Sequence, residues 1–447
     1  MRAVFVSHLH PETNHVGAVR VREFAQAMAR RGHRIVLLTQ SLTPRDPAPD
    51  PDGLAAALDG HDWSRPFPLA CPPCPSPLLQ AQRGGRLPRP LRLALIGWNY
   101  GVEGGVFSDW TRATQPLWPI LAEHFRPDVV WGTFGNTDAW KIAQGVARAA
   151  GSPWVADIKD AWDIFIPAPL RPLLAWRYGD CAGLTGLSAA HLAHTGKHFS
   201  QPRQTVFSGF PAALLDHADD SDQPARRITV TGSLYSEAGA EAVAEGVRLW
   251  LARAGRQARA KVVFTYAGGD RNRMERAAGR LDGLCRLDIR GFLPLAELVG
   301  LQRGAFLNLY ARHTGSADSF HHKLLELMAV GRPVACIPEE IPEALALAEA
   351  AGGRLSSCAD PATLALALDR AWEERDGPPV ADRDRLAGFT WDAQAERLEE
   401  ILMSAQAAAP CGYRLIPVLA SVWIAGIILA YLRQFLDMAP AILGVLR

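Results

Sequence analysis

Three side chains in one short segment could do chemistry together. In Asp318-Ser-Phe-His-His-Lys-Leu-Leu-Glu, Lys323 and Glu326 stand three residues apart. On a helix starting near Ser319 they share a face, while Leu324, Leu327 and Met328 form its buried stripe. Asp318 lies where that helix begins. A helix N-terminus offers unbonded N–H groups and partial positive charge, and Lys323 adds a full charge, so the segment is a prospective anion site. One turn on, Glu326 can accept hydrogen bonds from a vicinal diol such as a ribose. The same residues fit a plainer account, in which Asp318 or Ser319 caps the helix and Lys323 pairs with a carboxylate on a solvated face.

Placing such groups needs a rigid frame, and the sequence supplies two. Residues 3–7 form a short apolar strand. In the helix that follows, Val21, Phe24, Ala25 and Met28 recur at i, i+3, i+4 and i+7, and Gly32 stops it. Residues 35–38 are a continuous apolar run suited to a parallel sheet covered on both faces. This β-loop-α-β order is the unit of a doubly wound sheet. Residues from 41 to about 115 are rich in Pro and Arg and read as an irregular insertion. Strands at 128–132, 154–156, 183–187 and 205–207 complete a first domain over 1–215. The polar, aperiodic stretch 216–227 reads as a linker. A second series of strands at 228–231, 261–267, 285–289, 305–310 and 333–337, with helices between them, makes a domain over 228–388. A last helix, 389–405, carries Trp391, Ala395, Leu398 and Leu402 on one stripe. The expected fold class is α/β: two Rossmann-like domains facing across a cleft, each binding ligand outside the carboxyl ends of its strands.

The segment 318–334 resembles the P-x-K-x-x-E-x-x-A-x-G-x-P variant of family 4 glycosyltransferases (glycosyl transferases group 1, GT-B fold), whose wider motif is E-x7-E. Asp318 and Glu326 stand eight apart, with Asp in place of the first Glu, and His321-His322 precede the lysine where the family has proline. The resemblance implies that Asp318 contacts the donor sugar, Glu326 the nucleotide ribose and Lys323 the diphosphate. Thr229-Val-Thr-Gly232-Ser-Leu-Tyr235 is similar to the family's T-x-x-G-x-L-Y, which would bring the backbone at Gly232 near the diphosphate. The Arg or Lys that often follows that glycine is absent. The opening Val6–Thr39 region resembles the family's first strand, glycine loop and helix; Gly17 is the surviving loop glycine, and Arg20 behind it would pair with a phosphate. Asp128-Val-Val-Trp and Ala156-Asp157-Ile-Lys159-Asp160 resemble P-D-V-V and A-D-x-R-D. They imply Asp157 and Asp160 as ligands of the acceptor hydroxyl, where a capping aspartate beside a surface one is the plainer account. The last helix resembles one that crosses back to the N-terminal domain. The resemblance covers residues 1–405 and is strongest over 226–355.

Composition fits this frame. The chain has 447 residues, 48% hydrophobic and 21% charged, which excludes a disordered or fibrous protein. Lys+Arg 47 against Asp+Glu 46 gives a net charge of +1, so nothing calls for nucleic acid as partner. Seven scattered cysteines form no disulfide framework, and Cys71-Pro-Pro-Cys74 lacks the second pair or βα context of a zinc or redox site. Reduced thiols fit a cytoplasmic body. His8 and His10, or His321 and His322, lack a convergent carboxylate set, and no bound metal or other cofactor is expected. Residues 415–432 are uncharged and apolar between Arg414 and Arg433. As a helix they would span ~27 Å, close to the ~30 Å hydrocarbon core, and the tail 414–447 is therefore expected at the membrane.

These readings lead to a retaining glycosyltransferase at the inner face of the cytoplasmic membrane. Its partners would be a nucleotide sugar and a saccharide or lipid-linked acceptor, with Asp157, Asp160 and Lys323 as catalytic candidates. The alternative is a non-catalytic GT-B binding or assembly protein at the membrane.

Overall fold

The computed structural model describes residues 1–216, 226–255, 261–313, 323–377 and 380–407, the side chains of Asp163 and Ile164 excepted. Nearly all of the expected linker, Asp318 and the whole apolar tail lie outside the described residues. The chain forms two compact units. One is Met1–Val206 with the described residues from Ala395 on; the other is Phe207–Gln394.

The first unit is built on a parallel sheet of seven strands. These are β1 (Arg2–Ser7), β2 (Arg34–Gln40), β3 (Phe67–Cys71), β4 (Val129–Thr133), β5 (Trp154–Ile158), β6 (Gly183–Gly186) and β7 (Arg203–Thr205), in the order β3-β2-β1-β4-β5-β6-β7. The second unit has six: β8 (Arg227–Thr231), β9 (Val263–Ala267), β10 (Arg286–Arg290), β11 (Ala305–Ala311), β12 (Val334–Ile337) and β13 (Leu355–Ser357), in the order β10-β9-β8-β11-β12-β13. Both orders reverse direction once, between β1 and β4 and between β8 and β11. In sheets of this kind that switch point is where ligands bind.

The central strands are apolar because helices cover both faces. Val4, Val6, Val36, Leu38 and Val130 are fully buried in the first unit, as are Ile228, Val230, Phe264 and Leu309 in the second. The helix Val16–Arg30 buries Val21, Phe24, Ala25 and Met28, the stripe read from the sequence, and ends at Gly32 with φ +85°. Under β5 an aromatic cluster of Trp140, Trp154, Trp162, Tyr178 and Phe199 packs ring on ring.

The stretch 41–115 differs from the irregular insertion expected. It supplies β3, which pairs with β2 in parallel, and four helices: Pro51–Asp59, Pro77–Arg83, Arg89–Trp98 and Ser108–Thr114. Two of these start on a capping side chain followed by proline. Asp50 accepts from the N–H of Asp52 and Gly53, and Ser76 from that of Leu79. β3 holds Pro68 and β13 only three residues; both are edge strands, where a missing N–H and a short ladder are tolerated. Among the described residues, no helix is long and apolar enough to cross a membrane.

Candidate active site

In the second unit the chain leaves β8 at Gly232, whose φ of +91° favours glycine. Its N–H donates to the Ala267 carbonyl (3.0 Å), and its own carbonyl accepts from the Tyr266 hydroxyl (2.8 Å). Leu234 N–H donates to Asp270 Oδ2 (2.9 Å), and Ser236 caps the next helix, Glu237–Arg253, by accepting from Gly239 N–H (3.0 Å). This turn is therefore fixed by β9 and the residues after it.

Onto that turn comes Lys323, at the start of the helix Lys323–Ala329. A Cβ placed on Gly232 would stand only 2.8 Å from Lys323 Nζ. Glycine is thus needed twice, for its backbone angle and to admit the ammonium. The helix presents Leu324, Leu325, Leu327 and Met328 to the core and leaves Lys323 and Glu326 half-buried. Burial pushes the Lys323 ammonium below the ordinary lysine range, opposed by Glu326, and pushes the Glu326 carboxyl up, opposed by Lys323. A cation held with little water beside a backbone turn, with a carboxylate one turn away, suits an anionic ligand that also carries hydroxyls.

In the first unit the structure separates the sequence candidates into two groups. Gly17 and Asp160 stand at the carboxyl ends of the strands, joined by Lys159. Lys159 is only 5% exposed; its Nζ lies 2.7 Å from Asp160 Oδ2, and a Cβ on Gly17 would lie 2.6 Å from it. His15 caps the helix Val16–Arg30, its Nδ1 accepting from Gly17 N–H (3.0 Å). His8, just past β1, is seated against Gly135, where any Cβ would collide with the imidazole, and its ring stacks on Phe107 (centroids 6.2 Å apart). Burial, then the neighbouring Lys159, lowers the His8 pKa to about 4. At neutral pH His8 is an uncharged imidazole beside the Lys159–Asp160 pair.

Arg20 and Asp157 stand apart from this group. Both are fully buried and bonded to each other: Arg20 Nη2 lies 3.0 Å from Asp157 Oδ1 and Nε 3.4 Å from Oδ2. Arg20 also donates to the Val206 carbonyl (3.0 Å), and Asp157 accepts from the Thr185 hydroxyl (2.7 Å). The reason is the length of β5. The strand runs on to Ile158 rather than ending at Ala156, so Asp157 lies inside the sheet layer and only Lys159 and Asp160 pass its end. Both side chains of this pair are closed off from solvent. Lys159 and His8 are the side chains to which sequence reasoning gave no role at this site. The signal for Lys159 was its place directly after a buried strand; that for His8 was its place after β1.

No family model matches the chain, and no curated protein matches it. Solved structures do. The chain is similar to the sucrose-phosphate synthase of Thermosynechococcus elongatus over 90% of its own length and 98% of that protein's, at 14% identity with a TM-score of 0.62. The fold is GT-B. Two further GT-B structures are similar over nearly the same span. Anabaena HepE in complex with UDP and glucose shares 13% identity over 90% of this chain and 100% of its own, TM-score 0.54. The E. coli trehalose-6-phosphate protein bound with UDP-2-fluoro glucose shares 12% over 92% and 100%, TM-score 0.58. At these identities the likeness is one of fold.

Proposed function

We propose that the chain is a retaining glycosyltransferase that moves a sugar from a nucleotide-sugar donor to a membrane-proximal acceptor, such as a lipid-linked saccharide or envelope polysaccharide precursor. Its body would be cytoplasmic, held at the inner face of the membrane through residues 415–432, and it would need no bound metal. One observation carries this reading: Lys323 Nζ lies against the Gly232 turn, with Glu326 one helical turn along. In this reading Lys323 neutralises the leaving diphosphate, Glu326 takes the ribose and Asp318 the sugar. The loop after Gly232 has no base of its own, and the N–H groups of Gly232 and Leu234 are already bonded within the fold. This reading gives the phosphates to Lys323. In the first unit, Asp160 with Lys159 and the loop at Gly17 would receive the acceptor hydroxyl. Retention requires no dedicated protein base when the leaving phosphate takes the proton. The UDP ligands of HepE and the E. coli protein make uridine donors the first to test.

The test is a thermal-shift screen of UDP-, GDP-, ADP- and TDP-sugars, since a ligand that binds only the native state raises its melting temperature. One nucleotide class should do so. Lys323→Met should weaken its binding at least tenfold, about 1.4 kcal/mol, without lowering the melting temperature of the unliganded protein. Because burial depresses the Lys323 pKa, its charge is lost at lower pH than that of an ordinary lysine. Nucleotide binding should therefore take up protons and weaken as pH rises into the alkaline range. If no nucleotide sugar shifts the melt, the donor assignment is wrong. A second reading, a GT-B protein that binds without turnover, is favoured by the missing base after Gly232. Binding with neither transfer nor hydrolysis would support it.

A further inference from the structure

The helix Arg89–Trp98 is unlike every other long helix described: none of its residues is buried. Its inner side reaches the core only through Ile96, which packs at the edge of the first unit's hydrophobic cluster. Leu91, Ala94, Leu95 and Trp98 recur at i, i+3, i+4 and i+7 and so share one face, on which Leu91 and Trp98 are exposed and Ala94 and Leu95 half-buried. Leu91 is 37% and Trp98 47% exposed, and Leu78 and Val102 on the flanking segments are also open to solvent. Charge is as one-sided as the apolar stripe. Between Asp62 and Glu103 the chain has five arginines and no acidic residue. Arg83 is committed to Asp109, but among the described residues Arg86, Arg89 and Arg92 have no carboxylate partner.

We propose that this helix docks on an anionic bilayer surface, a contact distinct from the 415–432 run and independent of whether sugar transfer is demonstrated. The two halves of the observation select the occupant together. A soluble polyanion would pair the arginines but leave Leu91, Leu95 and Trp98 in water. An apolar protein groove would cover the stripe but leave three guanidinium groups without counter-charge. A bilayer carrying anionic headgroups satisfies both: the apolar stripe enters the acyl boundary, Trp98 sits at headgroup level, and the arginines bind phosphates.

Hydrogen–deuterium exchange on the full chain, with nanodiscs of phosphatidylcholine alone or mixed with phosphatidylglycerol, tests this separately from the tail. Amides over 86–102 should slow at least tenfold on the anionic discs and not on the neutral ones. Arg89→Glu with Arg92→Glu should remove the protection, at about fivefold per arginine or more. Leu91→Ser with Trp98→Ser should do the same. Because Arg89, Leu91, Arg92 and Trp98 are all exposed, the four substitutions should leave the melting temperature unchanged. Equal exchange with and without anionic lipid would overturn the proposal, as would equal protection on both discs. Protection by soluble polyphosphate but not by discs would assign the face to a polyelectrolyte and overturn it too.

Discussion

Arg20 and Asp157 form a fully buried ion pair. The guanidinium lies over Phe24 (4.8 Å to the ring centroid) and bonds to one carboxylate and one carbonyl. Removing one partner of such a buried pair strands the other charge, at a cost of about 3–5 kcal/mol. Asp157→Asn and Arg20→Met should therefore lower stability to denaturant by several kcal/mol. Asp160→Asn should differ. Asp160 is about one-third exposed while its partner Lys159 is buried, so its loss should cost less than breaking the fully buried pair while abolishing transfer. Equilibrium unfolding with donor-dependent turnover separates the two. Equal destabilisation by Asp157→Asn and Asp160→Asn would remove the distinction between core and site.

At the scale of elements, legibility followed burial. Strands carrying continuous apolar runs, such as β1, β2, β4 and β11, were readable because covering helices demand such runs on both faces. β3 and β13 were not, because an edge strand is relieved of that demand and tolerates Pro68 or a three-residue polar ladder. The helices after Asp50 and Ser76 went unread, because the composition of the stretch suggested only loop, although each starts on a capping side chain followed by proline. At the donor site, the Lys323–Glu326 spacing showed a shared helical face, but the contact with Gly232 joins residues 91 apart and needed the fold. Element packing also sets an acid–base balance in the first unit. Asp138, at the start of the helix Thr137–Ala150, accepts from Phe107 N–H (2.8 Å), and Phe107 stacks on His8. Burial raises the Asp138 carboxyl to about 6 and lowers the His8 imidazole to about 4. The His8 contribution to stability is complete above its unfolded pKa near 6.5 and is lost as pH falls toward 4. The Asp138 contribution is complete below about 3.8 and is lost as pH rises toward 6. Each amounts to roughly 3 kcal/mol at most, with opposite slopes, so in the native chain they largely offset each other. Asp138→Asn should make stability relative to the parent increase from pH 4 to 6.5, and His8→Asn should make it decrease. Parallel pH curves for both variants and the parent would show that neither group titrates as its burial requires.

For the whole molecule, the chain leaves the first unit after Val206 and supplies its last helix from far downstream. The helix Trp391–Gln406 belongs to the first unit from Ala395 on. There Leu398 and Leu402 are fully buried, and Ile401 packs against Gly183 of β6. Glu399 accepts from Arg31 and faces His33 Nε2 (2.8 Å), and Glu400 accepts from Gln204 (3.0 Å). Three buried aliphatic side chains contribute about 2 kcal/mol each. Their sum of roughly 6 kcal/mol is comparable with the whole stability of a domain, about 5–15 kcal/mol. A fragment ending at residue 206 keeps all seven strands yet exposes the groove that this helix fills. It should show no cooperative thermal transition. The same fragment with residues 395–407 rejoined through a glycine–serine linker should regain one. Residues 207–394 are continuous in sequence, carry both Gly232 and Lys323, and should fold without the first unit and still bind the nucleotide. A cooperative melt for residues 1–206 alone would mean that the returning helix is an ornament of the first unit rather than part of its core.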